Sequence, residues 1–207
     1  MKMRFVIGLL LGALVIQGAA LAGEPMDVVR GTVDDILKLL ADPDLEAKPQ
    51  VQRERLRKVI RAKFDFEKMT ELAVGRYRRK FSEDQLRELT DLFTQLLERT
   101  YLDRIQKYEE NAVSFGSERM LGPRKAQVHT EVGVGQKTFP VVYKVYRTKG
   151  GRWRVYDVKI EGVSLVSNYR KQFSEILLNK PPETLIERLQ EKVHAASEKT
   201  QEKGAGR

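Results

Sequence analysis

The sequence predicts an α+β domain in which a layer of helices covers an antiparallel sheet of about four strands. Three observations support this prediction. Apolar residues recur at helical spacing from Val29 to Tyr108, they alternate with polar residues between Ala126 and Ile160, and helical spacing resumes at Val163. Because strands joined by tight turns pair antiparallel, the middle of the chain supplies the sheet and both flanks supply helices.

The first 22 residues are predicted to be a cleaved export signal. Two basic residues precede an uncharged stretch that ends on the small-x-small pattern at residues 20–22. The alternative is a retained membrane anchor, but the most apolar part, residues 5–16, is short for a bilayer span of ~20 residues. We therefore expect cleavage after Ala22, a single domain over residues 23–196, and a protein that works outside the cytoplasm without being integral to a membrane.

Three amphipathic helices are predicted in the first part of that domain. The Asp42-Pro43 pair ends the first of them, and Gly75 ends the third. Their apolar positions are Val29, Val33, Ile36, Leu37 and Leu40 in the first, Leu56, Val59 and Ile60 in the second, and Phe66, Met69, Leu72 and Ala73 in the third.

Ser82 is the clearest helix start in the sequence. Its side chain can cap the following helix, Gln85 completes an S-x-x-Q capping box, and Phe81 can pack against Leu86. A long helix with one apolar face is therefore predicted. That face carries Leu86, Leu89, Phe93, Leu96, Leu97, Tyr101, Ile105 and Tyr108.

Alternating strands follow Asn111. One strand is expected near residues 113–115, one around residues 126–134 and one around residues 139–145. The Gly150-Gly151 pair then forms a hairpin turn from which the segment 153–160 returns.

Two helices close the domain. Ser164 is expected to cap the first, and Pro182 to occupy the first turn of the second. The polar, Gly-containing segment 197–207 is predicted to be disordered.

Composition narrows the function classes. The chain has no Cys, so its core must form without disulfides, and it cannot be a lipoprotein acylated on Cys. A formal net charge of +9 would suggest nucleic acid in a cytoplasmic protein, but export excludes that partner. Outside the cytoplasm the charge suggests anionic lipid headgroups or acidic protein surfaces, and the alternative is a basic surface with no target.

Catalytic, metal-binding and cofactor-binding patterns are not found. His129 and His194 have no partner at a metal-ligand spacing, and no phosphate-binding glycine loop is present. The Gly-x-Ser sequence at Ser164 resembles a nucleophile elbow, but Val166 stands where the second glycine is needed. Asp157 is interpreted as a member of a surface ion pair, with a buried catalytic carboxylate as the alternative.

Two features remain for binding. The basic tract Arg76, Arg78, Arg79 and Lys80 is either a solvated loop or a docking contact for an acidic partner or phosphate groups. The aromatic residues on the helix and strand faces are either plain core or the wall of a cavity, and periodicity alone favours core.

One long segment resembles a known family. The run W-R-V-Y-D-V-K-I-E-G-V-S-L-V-S-N-Y-R-K-Q-F, from Trp153 to Phe173, is similar to the MlaC family of periplasmic phospholipid-binding proteins of the lipid-asymmetry and toluene-tolerance pathway. The segments 64–69, 73–77 and 89–101 agree with that family as well. Arg78 departs from it, because an aromatic residue is expected there.

The resemblance implies a soluble periplasmic carrier, without enzymatic activity or cofactor, that holds the acyl chains of a phospholipid between helices and sheet. It further implies exchange with an outer-membrane lipoprotein complex and an inner-membrane ABC-type transporter, and the tract at residues 76–80 is the expected docking contact. A secreted enzyme or binding module for another apolar small molecule is the alternative. The residues expected to contact the lipid are Leu97, Tyr101, Ile105, Val141, Tyr143, Val158, Ile160, Val163, Val166, Tyr169 and Phe173.

Overall fold

The chain folds from a helical first half, an antiparallel sheet and two closing helices. The computed structural model describes residues 24–106 and 113–205. The helices of the described residues are α1 Glu24–Leu40, α2 Pro43–Glu46, α3 Pro49–Lys63, α4 Phe66–Val74, a 3₁₀ helix Gly75–Lys80, α5 Glu83–Ile105, α6 Leu165–Asn179 and α7 Pro182–Ala205.

The sheet is an antiparallel meander with the strands in chain order. A sheet of about four strands is confirmed, and a fifth strand of only two residues follows the turn at Gly162. Ten consecutive residue pairs, from Lys125↔Tyr146 to Val134↔Lys137, join the second and third strands. The strands are β1 Val113–Met120, β2 Lys125–Val134, β3 Lys137–Arg147, β4 Trp153–Ile160 and β5 Val163–Ser164.

The core has two main parts, one among helices and one on the sheet. Residues of α4 to α7 pack around Phe93, which is fully buried. The apolar face of the sheet packs with α1 through Val29. Phe64 packs against both parts, and it is tied to the sheet because the next residue, Asp65, donates its backbone N–H to the carbonyl oxygen of Val155 at 2.8 Å. Phe64 therefore connects the helical part of the core with the part on the sheet.

The predicted start of α5 is confirmed. The Gln85 N–H donates to Ser82 Oγ at 3.1 Å, and the Ser82 N–H donates to Gln85 Oε1 at 2.9 Å. Phe81 and Leu86 are both buried in the helical core. The helix ends at Ile105, and Tyr108 lies outside the described residues.

The turn from β4 into α6 is held by Asp157. Ser164 caps α6 as predicted, since its hydroxyl accepts from the Ser167 N–H at 3.0 Å and also donates to Asp157 Oδ2 at 2.7 Å. Asp157 accepts a further bond from the Val166 N–H and pairs with Lys144 Nζ at 2.9 Å. The predicted ion pair of Asp157 is confirmed, but its predicted position at the surface is wrong. Asp157 is buried beneath the first turn of α6, where it accepts hydrogen bonds from Ser164 and Val166.

Two of the sequence predictions concern the ends of the chain. The predicted export signal, residues 1–22, lies outside the described residues. Helix α7 continues to Ala205 and so includes most of the segment 197–207, for which disorder is predicted. The Glu, Lys and Gln residues of that segment are strong helix formers, which favours extension of the helix.

Among the described helices, none has the length and apolar character needed to cross a membrane.

Candidate binding cavity

A cavity of about 440 Å³ lies between the helices and the apolar face of the sheet. Its wall is built mainly from aliphatic and aromatic side chains, and its volume falls in the range of ~300–1,000 Å³ that is usual for ligand sites. The wall contains Val29, Thr32, Val33, Ile36 and Leu37 of α1, Ile60 of α3, Phe64, Phe66 and Met69 at α4, Leu97, Glu98, Tyr101, Leu102, Arg104 and Ile105 of α5, Val113, Val132, Val134, Phe139, Val141, Tyr143, Val155, Val158 and Ile160 of the sheet, and Glu161 and Leu165 after it.

The sheet side of the cavity follows from strand alternation. Residues i and i+2 of a strand share a face, so Val141 and Tyr143 of β3 point the same way. Antiparallel pairing sets Val141 opposite Ile160, and Tyr143 opposite Val158. Val132 of β2 extends this apolar surface towards β1.

The helical side is a stripe along α5. Leu97, Tyr101 and Ile105 are spaced by four residues, which places them above one another on one face of the helix. The buried face of α1 closes the cavity on another side, since Val29 and Val33 line it at the same spacing.

The mouth is marked by the lining residues that are exposed, namely Arg104, Val134 and Glu161. The Arg104 guanidinium lies 5.7 Å from the centre of the Tyr101 ring. Glu161 has a φ of 49° and donates its N–H to the Pro140 carbonyl at 3.0 Å, which fixes the turn after β4 beside the opening. An apolar ligand with a polar end therefore finds charged and polar groups where the cavity meets solvent.

Glu98 is a charged side chain in this apolar wall. Its carboxylate is almost fully buried and receives Arg61 Nε at 2.6 Å and Arg61 Nη2 at 2.9 Å, with Arg57 Nε 3.6 Å away. The hydrogen bond and charge of Glu98 raise the pKa of Arg61, although burial acts against this. A bidentate pair of this kind offsets the desolvation of the carboxylate. Glu98 is therefore compensated within the protein rather than available to a ligand.

Tyr101 presents a neutral phenol to the cavity. Burial raises its pKa above the ordinary value of 10.0, and the nearby Arg104 guanidinium opposes this only in part. The hydroxyl stays protonated at neutral pH and can donate a hydrogen bond to a polar ligand group.

Seven of the predicted contact residues lie together on the cavity wall. They come from α5, β3 and β4, elements whose inward faces the sequence pattern defines. They are Leu97, Tyr101, Ile105, Val141, Tyr143, Val158 and Ile160.

The other four predicted residues are not among those that line the cavity, and their placement there needs correction. Val163 is 59% exposed because β5 pairs with only one neighbour. Val166, Tyr169 and Phe173 are buried in the helical core, where the Phe93 ring centre is 4.8 Å from that of Tyr169 and 5.3 Å from that of Phe173. Helix α6 packs on α4 and α7 through these residues, and only its first residue, Leu165, is among those that line the cavity.

Sequence reasoning missed the contribution of α1 and of the segment around α4. The sequence places Val33 and Ile36 on an apolar helix face, but helical spacing does not say which layer such a face contacts. Phe64 and Phe66 flank Asp65, the N-cap of α4, whose side chain accepts from the Lys68 N–H. The alternation of Phe64 and Phe66 about a capping residue is the signal that could have located them.

The basic tract lies on the 3₁₀ helix, and none of its residues is among those lining the cavity. Two of its basic side chains, Arg76 and Lys80, lie over the ring of the buried Tyr77. Arg76 donates to the Tyr77 hydroxyl at 2.8 Å, Lys80 donates to the Leu177 carbonyl at 2.7 Å, and Arg78 pairs with Glu83 at 2.5 Å. Arg79 is exposed, with no hydrogen bond or ion pair among the described residues.

Comparison with known proteins agrees with this architecture. A phospholipid-binding protein from Ralstonia solanacearum, solved in complex with a phospholipid, superposes with a TM-score of 0.77 at 25% identity, over 84% of this chain and 99% of that chain. A toluene tolerance protein of Pseudomonas putida is 24% identical over 75% of this chain and 74% of its own length. The intermembrane phospholipid transport system binding protein MlaC of Haemophilus influenzae is 26% identical over 57% of each chain.

The family model of the MlaC protein matches residues 30–191. That range begins within α1 and ends within α7, and it contains all of the cavity-lining residues except Val29. The chain therefore belongs to the MlaC family.

Proposed function

We propose that this protein is a carrier that holds a phospholipid with its acyl chains in the apolar cavity and its headgroup at the mouth. The observation that supports this most strongly is a large apolar cavity with charged residues confined to its opening and to the compensated Glu98. The superposition on a phospholipid complex supports the same ligand class.

The need for a carrier follows from the hydrophobic effect. Two acyl chains contain about 30 methylene groups, each of which gains ~0.8 kcal/mol on leaving water. Spontaneous escape of a phospholipid through water is therefore very slow. A dry cavity surrounds the acyl chains with hydrocarbon much as a bilayer does, so the free energies of the lipid in carrier and membrane are nearly equal. Small differences in free energy supplied by the partner complexes then set the direction of transfer.

The proposed setting is the periplasm, where the protein exchanges lipid with an outer-membrane lipoprotein complex and an inner-membrane ABC-type transporter. The family resemblance supports these partners, and the predicted export signal supports the compartment. In this proposal the carrier has no catalytic role, and the energy for directed transport comes from the transporter. The alternative is a secreted enzyme acting on an apolar substrate in the same cavity.

Native mass spectrometry of the protein purified from a bacterial periplasm tests the proposal. We expect a mass increment of one or more phospholipids that survives purification, because transfer of the chains to water is so unfavourable. Delipidated protein should take up lipid again from vesicles. Recovery of empty protein together with no uptake from vesicles would refute the carrier, and release of a chemically altered lipid would favour the enzyme.

The basic tract is proposed to dock on acidic surfaces of the partner complexes. Reversing the charge of both Arg76 and Arg79 should slow lipid transfer to the partner complexes about tenfold or more at low salt, while bound lipid is retained. Long-range attraction raises encounter rates, and screening over ~8 Å at physiological ionic strength weakens it. Transfer of labelled lipid at increasing salt measures both effects.

The control for this experiment is reversal of Lys38 and Lys192, two exposed residues outside the tract. It should leave the transfer rate within about twofold of the parent. Equal slowing in both variants would mean that net charge acts rather than this tract. Loss of lipid with normal docking would instead place Arg76 and Arg79 at the headgroup.

A further inference from the structure

A second groove, of about 420 Å³, is lined by residues of α3 and α5 and shares only Glu98 with the lining of the apolar cavity. Unlike the cavity, it is lined only by polar and charged residues. Glu54, Arg57, Lys58 and Arg61 follow one another at positions i, i+3, i+4 and i+7, so α3 turns a single charged face towards it. Opposite, α5 supplies Gln95, Glu98 and Arg99 at i, i+3 and i+4.

The charges of this groove do not balance. Four cationic side chains face two carboxylates, which leaves a net charge of +2 on the lining. Burial lowers the pKa of Arg99, and repulsion from Arg57 and Arg53 lowers it further. Cations packed closely enough to repel one another are stabilised when an anion joins them.

The groove also offers hydrogen-bond donors in fixed positions. Arg61 turns its Nε and Nη2 to Glu98 and is thereby held in place, which leaves Nη1 without a partner among the described residues. Arg57 Nε is buried and makes no hydrogen bond, although Glu98 lies 3.6 Å away. The exposed Lys58 ammonium has no partner in the described part of the chain. Planar guanidinium donors held in this way match the oxygens of a tetrahedral phosphate.

We propose that this groove binds a phosphate group. The group could belong to a free phosphate or to a phospholipid headgroup, which present the same oxygens. A net charge of +2 on the lining matches a dianion, so free phosphate is expected to bind more tightly than the singly charged diester of a headgroup. The inference does not depend on lipid in the apolar cavity, because the groove lies outside it.

Isothermal titration calorimetry of the purified protein with inorganic phosphate at low ionic strength tests the site. We expect a saturable heat that sodium chloride at equal ionic strength does not produce. Lys58→Glu should weaken binding about tenfold or more, because it removes one charge-assisted hydrogen bond and also lowers the net charge of the lining from +2 to 0. Lys171→Glu is the matched control, since Lys171 is exposed on α6 outside the groove, and it should bind phosphate as the parent does.

Glycerophosphoglycerol, a soluble phosphodiester with the charge of a headgroup, distinguishes the two sources. Tighter binding of inorganic phosphate assigns the groove to free phosphate, and equal or tighter binding of the diester assigns it to lipid headgroups. Absence of a saturable heat with both compounds would overturn the proposal. So would a Lys58→Glu variant that binds phosphate within about twofold of the parent. Neither result bears on lipid carriage, which native mass spectrometry measures separately.

Discussion

Val141→Asp is expected to remove bound phospholipid while the protein stays folded. Val141 is buried, but it lines the cavity rather than a packed interior. With acyl chains in place, a carboxylate there faces hydrocarbon and has no partner, which is strongly unfavourable. When the lipid leaves, water can enter from the mouth and hydrate the charge, so lipid occupancy should fall at least about tenfold while most of the folding free energy is retained.

Val145→Asp is the matched control for this substitution. Val145 lies on the same strand, is fully buried and is not among the residues that line the cavity. An aspartate at that position has no cavity water to reach, so the variant should unfold. Native mass spectrometry gives the occupancy, and thermal unfolding followed by circular dichroism gives the stability. If Val141→Asp unfolds as Val145→Asp does, the wall around Val141 is solid core and the cavity does not hold lipid.

The elements of this fold are readable in the sequence because they depend on local chemistry. The capping box at Ser82 uses two side chains three residues apart, and the structure has both of its hydrogen bonds. The strands between Lys125 and Ile160 alternate because one face of the sheet is buried. Turn residues such as Gly151, with a φ of 82°, mark where the chain reverses.

Which layer an apolar helix face packs against depends on contacts distant in sequence. For this reason the sequence predicts some of the cavity residues incorrectly. Phe173 and Tyr101 both lie on apolar helix faces, yet one packs against Phe93 and the other lines the cavity. The difference depends on how α6 and α5 are set against their neighbours, which no periodicity records. Asp157 shows the same limit, since its burial follows from the path of the chain into α6 and not from its neighbours in sequence.

The family resemblance implies a lipid cavity but does not determine which residues line it. The segment from Trp153 to Phe173 carries the strongest likeness, and its strand half, through Val158 and Ile160, does line the cavity. In its helical half, Leu165 also lines the cavity, whereas Val166, Tyr169 and Phe173 belong to the helical core. A recognisable segment therefore combines residues that hold the fold together with residues that face the ligand, and only the structure separates them.

Phe173→Ala tests that separation and should be the more destabilising of two matched substitutions. Phe173 is 3% exposed, and its ring contacts those of Phe93 and Tyr169. Removing such a ring leaves a cavity in a packed core, which costs about 3–5 kcal/mol of the free energy of unfolding. The affinity of the folded molecules for phospholipid should change little, because the side chain does not face the apolar cavity.

Phe139→Ala should show the opposite pattern. Phe139 is half-buried and lines the cavity near Val134 at the mouth, so truncation should cost about 1 kcal/mol of stability or less, as is usual for a partly exposed site. Lipid release to acceptor vesicles should accelerate severalfold because the wall is thinner at its opening. Denaturant unfolding must use delipidated protein, since a bound ligand adds its own stabilisation. If Phe173→Ala released lipid faster than Phe139→Ala at equal folded fraction, then Phe173 would face the ligand after all, and the division between core and cavity drawn from these contacts would be wrong.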